Sequence, residues 1–390
     1  MQFIDLAAQQ KRIRSDLERR IKAVLDHGNY IMGPEVFTLE ERLATFAGAR
    51  HCVSCASGTD ALLMVLMAWD IGPGDAVFMP PFTFFATAEA VAMLGATPVM
   101  VDIDPDCFNM NPQALGKAVD AVRARDASCY PLPAVAVCQR LTPRAVIPVD
   151  LFGQPAAYAE ILPLARKYEL LVMEDAAQSF GAMYNGKRTC GLGCHAAATS
   201  FFPAKPLGCY GDGGAIFTDD DALAAVLQSI RVHGKGSDKY DNVRIGLNGR
   251  LDTLQAAILL AKLEVFFEEI QLRQQIARTY AEELAAIPGI TPPRIPEDSL
   301  SVWAQYCILV AAGRRDAVAA RLKEKNIPTN IYYPTPMHML AALKNLGYAP
   351  DDMPASLAAS RDILALPFHP YLETEDIRRV AAVLQEAMRA

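Results

Sequence analysis

A lysine becomes a nucleophile when its surroundings exclude water and weaken its hold on a proton. Residues 200–214, SFFPAKPLGCYGDGG, offer such surroundings. Their single lysine, Lys205, stands between an apolar run and a glycine-rich turn, with Pro203 and Pro206 on either side. Most lysines are solvated surface groups, so this segment alone is a weak signal. Residues 170–182, LLVMEDAAQSFGA, strengthen it. An apolar strand-like run ends there in Glu174 and Asp175, and Gln178 follows among small residues. Asp175 could be a simple helix cap or turn residue. Held at a strand end inside a cleft, it would instead pair with a cationic nitrogen of a bound cofactor.

A third segment could bind an anion. The short apolar strand 51–56 runs into Ser57-Gly58-Thr59-Asp60 and then a helix over 61–69. Strand, small-residue turn and helix leave free backbone N–H groups at a helix N-terminus, which favour negative charge. Cys52 and Cys55, or Cys190 and Cys194 beside His195, have spacings that a metal could use. The first pair falls on a strand, where i and i+3 point to opposite faces. Structural thiols are the reading adopted, and no metal is expected.

These residues need elements to carry them. Helical patterns cover 5–27 and 36–46, and strands are expected at 76–79, 97–101, 145–149, 170–174, 200–202 and 214–218, with helices near 86–94 and 156–168 between them. The alternation argues for an α/β domain with a mostly parallel sheet, whose ligands gather at the carboxyl ends of strands. A long amphipathic helix over 251–271 continues irregularly toward residue 284. The segment 288–296, with Pro288, Pro292, Pro293 and Pro296, reads as a connector. A strand-like run over 306–310 and helices over 315–325 and 374–388 then suggest a smaller α+β domain. The expected division is 1–250, the large domain, and 251–390, the linking helix and small domain. Residues 124–142 look like a surface insertion.

The 390 residues are enough for a sizeable core, and 52% hydrophobic with 21% charged is ordinary for a compact enzyme. A net charge of −7 gives no footprint for nucleic acid or an anionic membrane. The N-terminus becomes charged too early for a signal peptide, and the apolar stretches are too short to span a bilayer. A cytoplasmic protein with reduced thiols is expected.

In order and spacing, YIMGPEV, SCASGTDAL, PFTFFATAEAV, PVDLFGQ, EDAAQSFGA, SFFPAKPLGCYGDGGAIFT, NGRLDTLQAAIL and LPFHPYL resemble the DegT-type sugar aminotransferases. The resemblance spans nearly the whole chain. It implies the fold-type I architecture of enzymes dependent on pyridoxal 5′-phosphate (PLP), with a large domain on a mostly parallel sheet and a smaller C-terminal α+β domain. It makes Lys205 the Schiff-base lysine and Asp175 the partner of the pyridine nitrogen. Gln178 is expected at the ring hydroxyl, and Phe84 stacked on the ring. Gly58, Thr59 and Ser200 are expected at the phosphate. Asn248 is expected to reach the phosphate of the neighbouring subunit, so that a homodimer shares its active sites.

Within that family the chain looks most like enzymes that aminate the 3-keto group of UDP-2-acetamido-2-deoxy-3-oxo-D-glucuronate. The implied amino donor is L-glutamate, and the implied product feeds surface polysaccharide such as O-antigen. Arg250 is a candidate for gripping a substrate carboxylate, since a planar guanidinium suits it. Tyr332 and His338 lie in the expected sugar-binding region. Tyr332 stands where a histidine is common in the family, and Leu340 where a glutamine is frequent. The alternatives are another UDP- or dTDP-linked 3-keto or 4-keto hexose, a PLP-dependent sugar dehydratase, or a non-enzymatic PLP-binding regulator. The dehydratases of this fold use a histidine where this chain has Lys205.

Overall fold

The computed structural model describes residues 1–238, 240–311 and 313–389. The first half of the chain supplies β1 (His51–Cys55), β2 (Asp75–Met79), β3 (Thr97–Met100), β4 (Thr142–Val146) and β5 (Leu171–Asp175). The two-residue strands β6 (Met183–Tyr184) and β7 (Lys187–Arg188) follow, then β8 (Ala196–Ser200) and β9 (Gly214–Thr218). All but β6 and β7 join one sheet in the order β1-β9-β8-β5-β4-β2-β3. Strands β3, β2, β4, β5 and β8 run parallel, while β9 is antiparallel to both β8 and β1.

Parallel strands need cover on both faces, and their sequences are accordingly apolar. Helix Gly58–Ala68 is buried at six successive positions, Ala61 to Leu66, because it lies inside the cover rather than at its surface. Its start is set by Ser57, whose Oγ accepts the Asp60 N–H at 3.0 Å. Helix Thr253–Leu284 is unbroken over 32 residues, about 48 Å by its rise per residue. It packs against helices Leu6–His27 and Pro34–Ala47 and then against the C-terminal helix Thr374–Arg389. The irregularity expected near residue 271 is absent, because Ile270, Arg273, Ile276 and Ala277 keep one face buried through that stretch.

The C-terminal part adds β10 (Ile290–Thr291), β11 (Ser299–Leu300), β12 (Tyr306–Val310) and β13 (Ile363–Leu366). β12 is the centre of an antiparallel three-stranded sheet, β10-β12-β13. Tyr306 stacks between Tyr280 and Phe368, at centroid distances of 4.8 and 5.7 Å, and anchors this sheet to the long helix. β11 pairs instead with β6, stitching the C-terminal part to the large sheet's flank.

Two further expectations need correction. The strand placed at 200–202 lies at Ala196–Ser200, since the small residues 196–198 fit the crowded centre of the sheet and Phe201 already turns away. The segment 124–142 is not merely a surface insertion. It contains the short helix Ala134–Cys138, and Tyr130, Leu132 and Ala136 are buried. Tyr130 Oη accepts the Asp102 N–H at 2.8 Å and lies 3.6 Å from Met353 Sδ, so the segment is a strut between the sheet and the C-terminal part.

Behind β1, Arg231 and Glu40 form a buried ion pair. Arg231 Nη1 also donates to the Ser54 carbonyl at 2.9 Å, and Glu40 Oε1 accepts the Ser54 N–H at 2.8 Å. Removing one member strands the other charge away from water. Glu40→Ala is therefore expected to lose about 3–5 kcal/mol of stability, measured by urea denaturation. A loss under about 1 kcal/mol, the range of exposed pairs, would show that the pair is solvated.

Candidate active site

The cleft opens at the carboxyl ends of β2, β5 and β8, where the strand order reverses its direction of travel. It encloses about 600 Å³, the size of a small-molecule site. Gly58, Thr59, Phe84, Asp175, Gln178, Ser200, Lys205 and Tyr332 all line it. They come from five separate segments of the chain.

Lys205 sits on the loop between β8 and β9. Its backbone N–H bonds to the Phe202 carbonyl at 2.8 Å, and Cys209 N–H returns to the Phe201 carbonyl at 2.7 Å, closing a tight loop. Gly208 is required for that closure, because a Cβ there would fall 2.6 Å from the carbonyl oxygens of Phe202 and Pro203. Burial lowers the affinity of the Lys205 amine for its proton, and Asp175 partly restores it. The side chain makes no hydrogen bond or ion pair among the described residues, so the amine is available to a ligand.

Asp175 ends β5. Its Oδ2 accepts the Thr87 hydroxyl at 2.9 Å and its Oδ1 the Ala177 N–H at 3.2 Å. Burial pushes its carboxyl up, and those two hydrogen bonds and Lys205 pull it back. The two groups therefore act on each other across the cleft without touching. Gln178, also buried, accepts the Phe152 N–H at 2.8 Å and donates to Tyr333 Oη at 3.2 Å. Phe84 presents a ring that is 59% exposed, unusual for so large an apolar group unless something covers it.

Opposite stands the N-terminus of helix Gly58–Ala68. A Cβ on Gly58 would lie 2.7 Å from Ser200 Cβ, so glycine is what allows the helix start to close on β8. Gly214 has the same role one strand over, where a Cβ would meet the Ser57 carbonyl at 2.4 Å. The first N–H groups of this helix, the Thr59 hydroxyl and the Ser200 hydroxyl form a donor set suited to a phosphate. With an unpartnered amine, a buried carboxylate and an exposed aromatic face in the same cleft, the residues present fit PLP.

Asn248 and Arg250 are not in this cleft. They line an adjoining cavity of about 430 Å³ with Ile31, Asp252 and Gln255, and Arg250 Nε donates to Asn248 Oδ1 at 3.0 Å. Asp212 lines both spaces. His338 is not brought to either. It is buried, with Nε2 3.1 Å from the Pro350 carbonyl, which corrects its expected place beside the substrate: the short helix Met337–Met339 turns it into the core. Tyr333, Gln305, Thr87 and Asp212 line the cleft without having been singled out in the sequence. Thr87 and Tyr333 are distinguished only by their hydrogen bonds to Asp175 and Gln178.

Among the described residues no cluster suits a metal, the cysteines are all free thiols, and no helix is long and apolar enough to cross a membrane. Cys52, Cys55 and Cys190 are buried, and burial pushes their thiols up.

Gly58→Ala tests the donor set. The methyl would part the helix start from Ser200, and PLP retention should weaken by about tenfold or more, roughly 1.4 kcal/mol. Absorbance titration of the stripped protein with PLP measures it, with circular dichroism as the folding control. Unchanged affinity would remove the helix start from the binding site.

The comparisons with known proteins agree with this geometry. The DegT/DnrJ/EryC1/StrS aminotransferase family matches residues 11–385. A Pseudomonas aeruginosa protein named UDP-2-acetamido-2-deoxy-3-oxo-D-glucuronate aminotransferase is 48% identical over 98% of this chain and 99% of its own. A Geobacillus stearothermophilus protein named pleiotropic regulatory protein is 38% identical over 99% and 98%. A crystal structure of a DegT DnrJ EryC1 StrS aminotransferase from Brucella abortus superposes with a TM-score of 0.90 at 47% identity, covering 99% of each chain. Bacillus subtilis NtdA, solved with its cofactor PMP, superposes with a TM-score of 0.87 at 28% identity, over 100% of this chain and 83% of its own. The family depends on PLP, and the cleft is built to take it. With matching segments, sheet order and cleft, the chain belongs to the DegT/DnrJ/EryC1/StrS aminotransferase family.

Proposed function

We propose that this protein is a transaminase moving an amino group from L-glutamate to the 3-keto group of UDP-2-acetamido-2-deoxy-3-oxo-glucuronate, for surface polysaccharide such as O-antigen. The observation that carries the chemistry is the half-buried Lys205 amine and the buried Asp175 carboxyl lining one cleft without touching. The sugar rests on the Pseudomonas aeruginosa relative. The name of the Geobacillus relative favours a regulatory role, but intact Lys205, Asp175 and Gln178 support an enzyme.

When bound, PLP supplies the electron sink and carries the amino group between the two substrates. Lys205 would hold the cofactor through its amine, and that amine, its proton affinity lowered by burial, would move a proton at the reacting carbon. Asp175, fixed by Thr87 and Ala177, keeps the ring nitrogen cationic. Gln178 would face the ring hydroxyl, and Phe84 would cover the ring. Gly58, Thr59 and Ser200 hold the phosphate. Tyr332 lines the cleft from the C-terminal part of the chain, where it would contact the sugar nucleotide. His338 stays outside this reading. Residues 1–250 form the cofactor-holding unit, and 251–390 the linking helix and closing unit.

The functional unit is a homodimer, with Asn248 contacting the phosphate of the neighbour's site and Arg250 its substrate carboxylate. The hairpin that precedes Asn248 exposes Val243 (55%) and Ile245 (84%), apolar groups that a second copy would cover.

Purified protein incubated with glutamate and a panel of UDP- and dTDP-linked keto-sugars, read by mass spectrometry, should aminate the 3-keto uronate fastest. Borohydride should fix PLP on Lys205, and Lys205→Ala should lose more than about 10³-fold in turnover. A label on another lysine overturns the assignment, and preference for a 4-keto hexose overturns the substrate.

Complementation tests the shared sites. Lys205→Ala and Asn248→Ala subunits are mixed and allowed to exchange. A hybrid dimer would carry both lesions in one site and neither in the other, so activity should exceed that of either parent. Verified exchange without recovered activity means that Asn248 serves its own chain.

A further inference from the structure

Tyr333 is not used by the reading above, yet it is bonded to a residue that is. Gln178 is 3% exposed and both ends of its amide are assigned by their partners. The Phe152 N–H can only donate, so the amide oxygen must face it and the nitrogen must face Tyr333 Oη. Phe152 is itself rigidly placed in a turn at φ 59°, with its carbonyl accepting the Ala304 N–H at 2.9 Å. Tyr333 comes from the C-terminal part of the chain. Its ring meets the fully buried Phe82 edge-on, at 6.0 Å between centroids and 82° between planes.

Nε2 has two hydrogens. One goes to Tyr333, and since Gln178 lines the cleft the other is left for a ligand there. We propose that Tyr333 is a positioning residue: by accepting one Gln178 N–H it fixes the amide so that the second N–H is directed at the ring oxygen of PLP. This rests on Gln178 facing that oxygen. It also makes the C-terminal unit responsible for the electronic state of a cofactor held by the N-terminal one. Burial pushes the Tyr333 hydroxyl well above its ordinary value, so it stays protonated and remains a steady acceptor across the working pH range.

The sign of the effect follows from hydrogen bonding. A donor at a phenolic oxygen stabilises its negative charge and lowers the pH at which the neighbouring nitrogen, the one joined to Lys205, gives up its proton. Freeing the Gln178 amide weakens that donor and raises the midpoint.

The experiment loads wild type, Tyr333→Phe, Gln178→Ala and the double variant with PLP and follows the visible absorbance against pH. Tyr333→Phe should raise the midpoint by about half a pH unit or more. Gln178→Ala should raise it at least as far, and the double variant should match Gln178→Ala alone, since a residue acting through Gln178 has nothing to act through once that amide is gone. In turnover, Tyr333→Phe should lower kcat while KM for the sugar nucleotide stays within about twofold. Tyr333→Leu, measured alongside, gives the same reading should Tyr333→Phe fold or load poorly. An unchanged midpoint in Tyr333→Phe overturns the proposal. So does a Tyr333 shift that persists without Gln178, which would make the contact direct. The borohydride adduct on Lys205 checks the cofactor reading independently, so failure of the coupling and failure of that reading give different results.

Discussion

Two opposite charges kept within reach but out of contact are what the rest of the site depends on. Burial weakens the Lys205 amine's hold on its proton and raises the Asp175 carboxyl, and each partly reverses the other's shift. Had they met as an ion pair, each would have satisfied the other, and a ligand would have to break a desolvated bond to use either. The fold prevents this with neighbouring strands. Asp175 and Ala198 are in register on β5 and β8, so Asp175 stops at the carboxyl end of the central strand while the chain after Ser200 loops outward to bring Lys205 back over the cleft. The Gly208 closure and the Gly58–Ser200 approach are then two consequences of one requirement: the backbone must come close enough to wall off water on both sides.

A second layer of carboxyls lies behind Asp175. Asp150 is fully buried and accepts the Ala156 N–H, the Tyr158 hydroxyl and the Ser179 hydroxyl, at 2.9, 2.8 and 2.7 Å. Burial nevertheless pushes it up to about 6, and pushes its neighbour Glu174 further. Groups whose folded pKa is raised stabilise the fold at low pH and lose that contribution as the pH climbs through the raised value. For Asp150 the window runs from the unfolded carboxylate range to about pH 6. The arrangement therefore trades some stability at neutral pH for a rigid backing. Asp150 N–H bonds to the Asp175 carbonyl at 3.0 Å, so the backing reaches the functional carboxylate through the main chain.

Much of this was legible in the sequence because the relevant signals are local. Apolar runs punctuated by Gly, Asp and Ser mark the parallel strands and their ligand-bearing ends, and the Ser57–Asp60 cap is written in adjacent residues. Where the reading slipped, tertiary crowding decided. The residues 196–198 carry little strand propensity as alanines, yet between β5 and β9 only small side chains fit, and the strand forms there. Segment 124–142 reads as a surface insertion because its prolines and cysteines lack periodicity, whereas the Tyr130 bond to Asp102 and the burial of Leu132 and Ala136 tie it to the core. His338 and Tyr333 lie five residues apart in one unpatterned stretch, and no periodicity says that one turns into the core and the other into the cleft.

The boundary between the two cavities carries the last step. Asp212 faces both, so the wall separating the main cleft from the space around Asn248 and Arg250 is thin and belongs to the same glycine-rich turn that follows Lys205. Arg250 is held by Asn248 rather than by a carboxylate, an arrangement that leaves guanidinium N–H groups to spare. With those N–H groups turned on a cavity of about 430 Å³, Arg250 is suited to receive an anion. Within one chain the cleft already has its own donor set at the helix start. The site of a second chain, brought up by a two-fold axis against the exposed hairpin, would supply the anion, and isologous symmetry would then repeat the arrangement in reverse. Under that proposal the hairpin's exposed Val243 and Ile245 and the idle Arg250 have one cause: both belong to surfaces that are finished only by another copy of the chain.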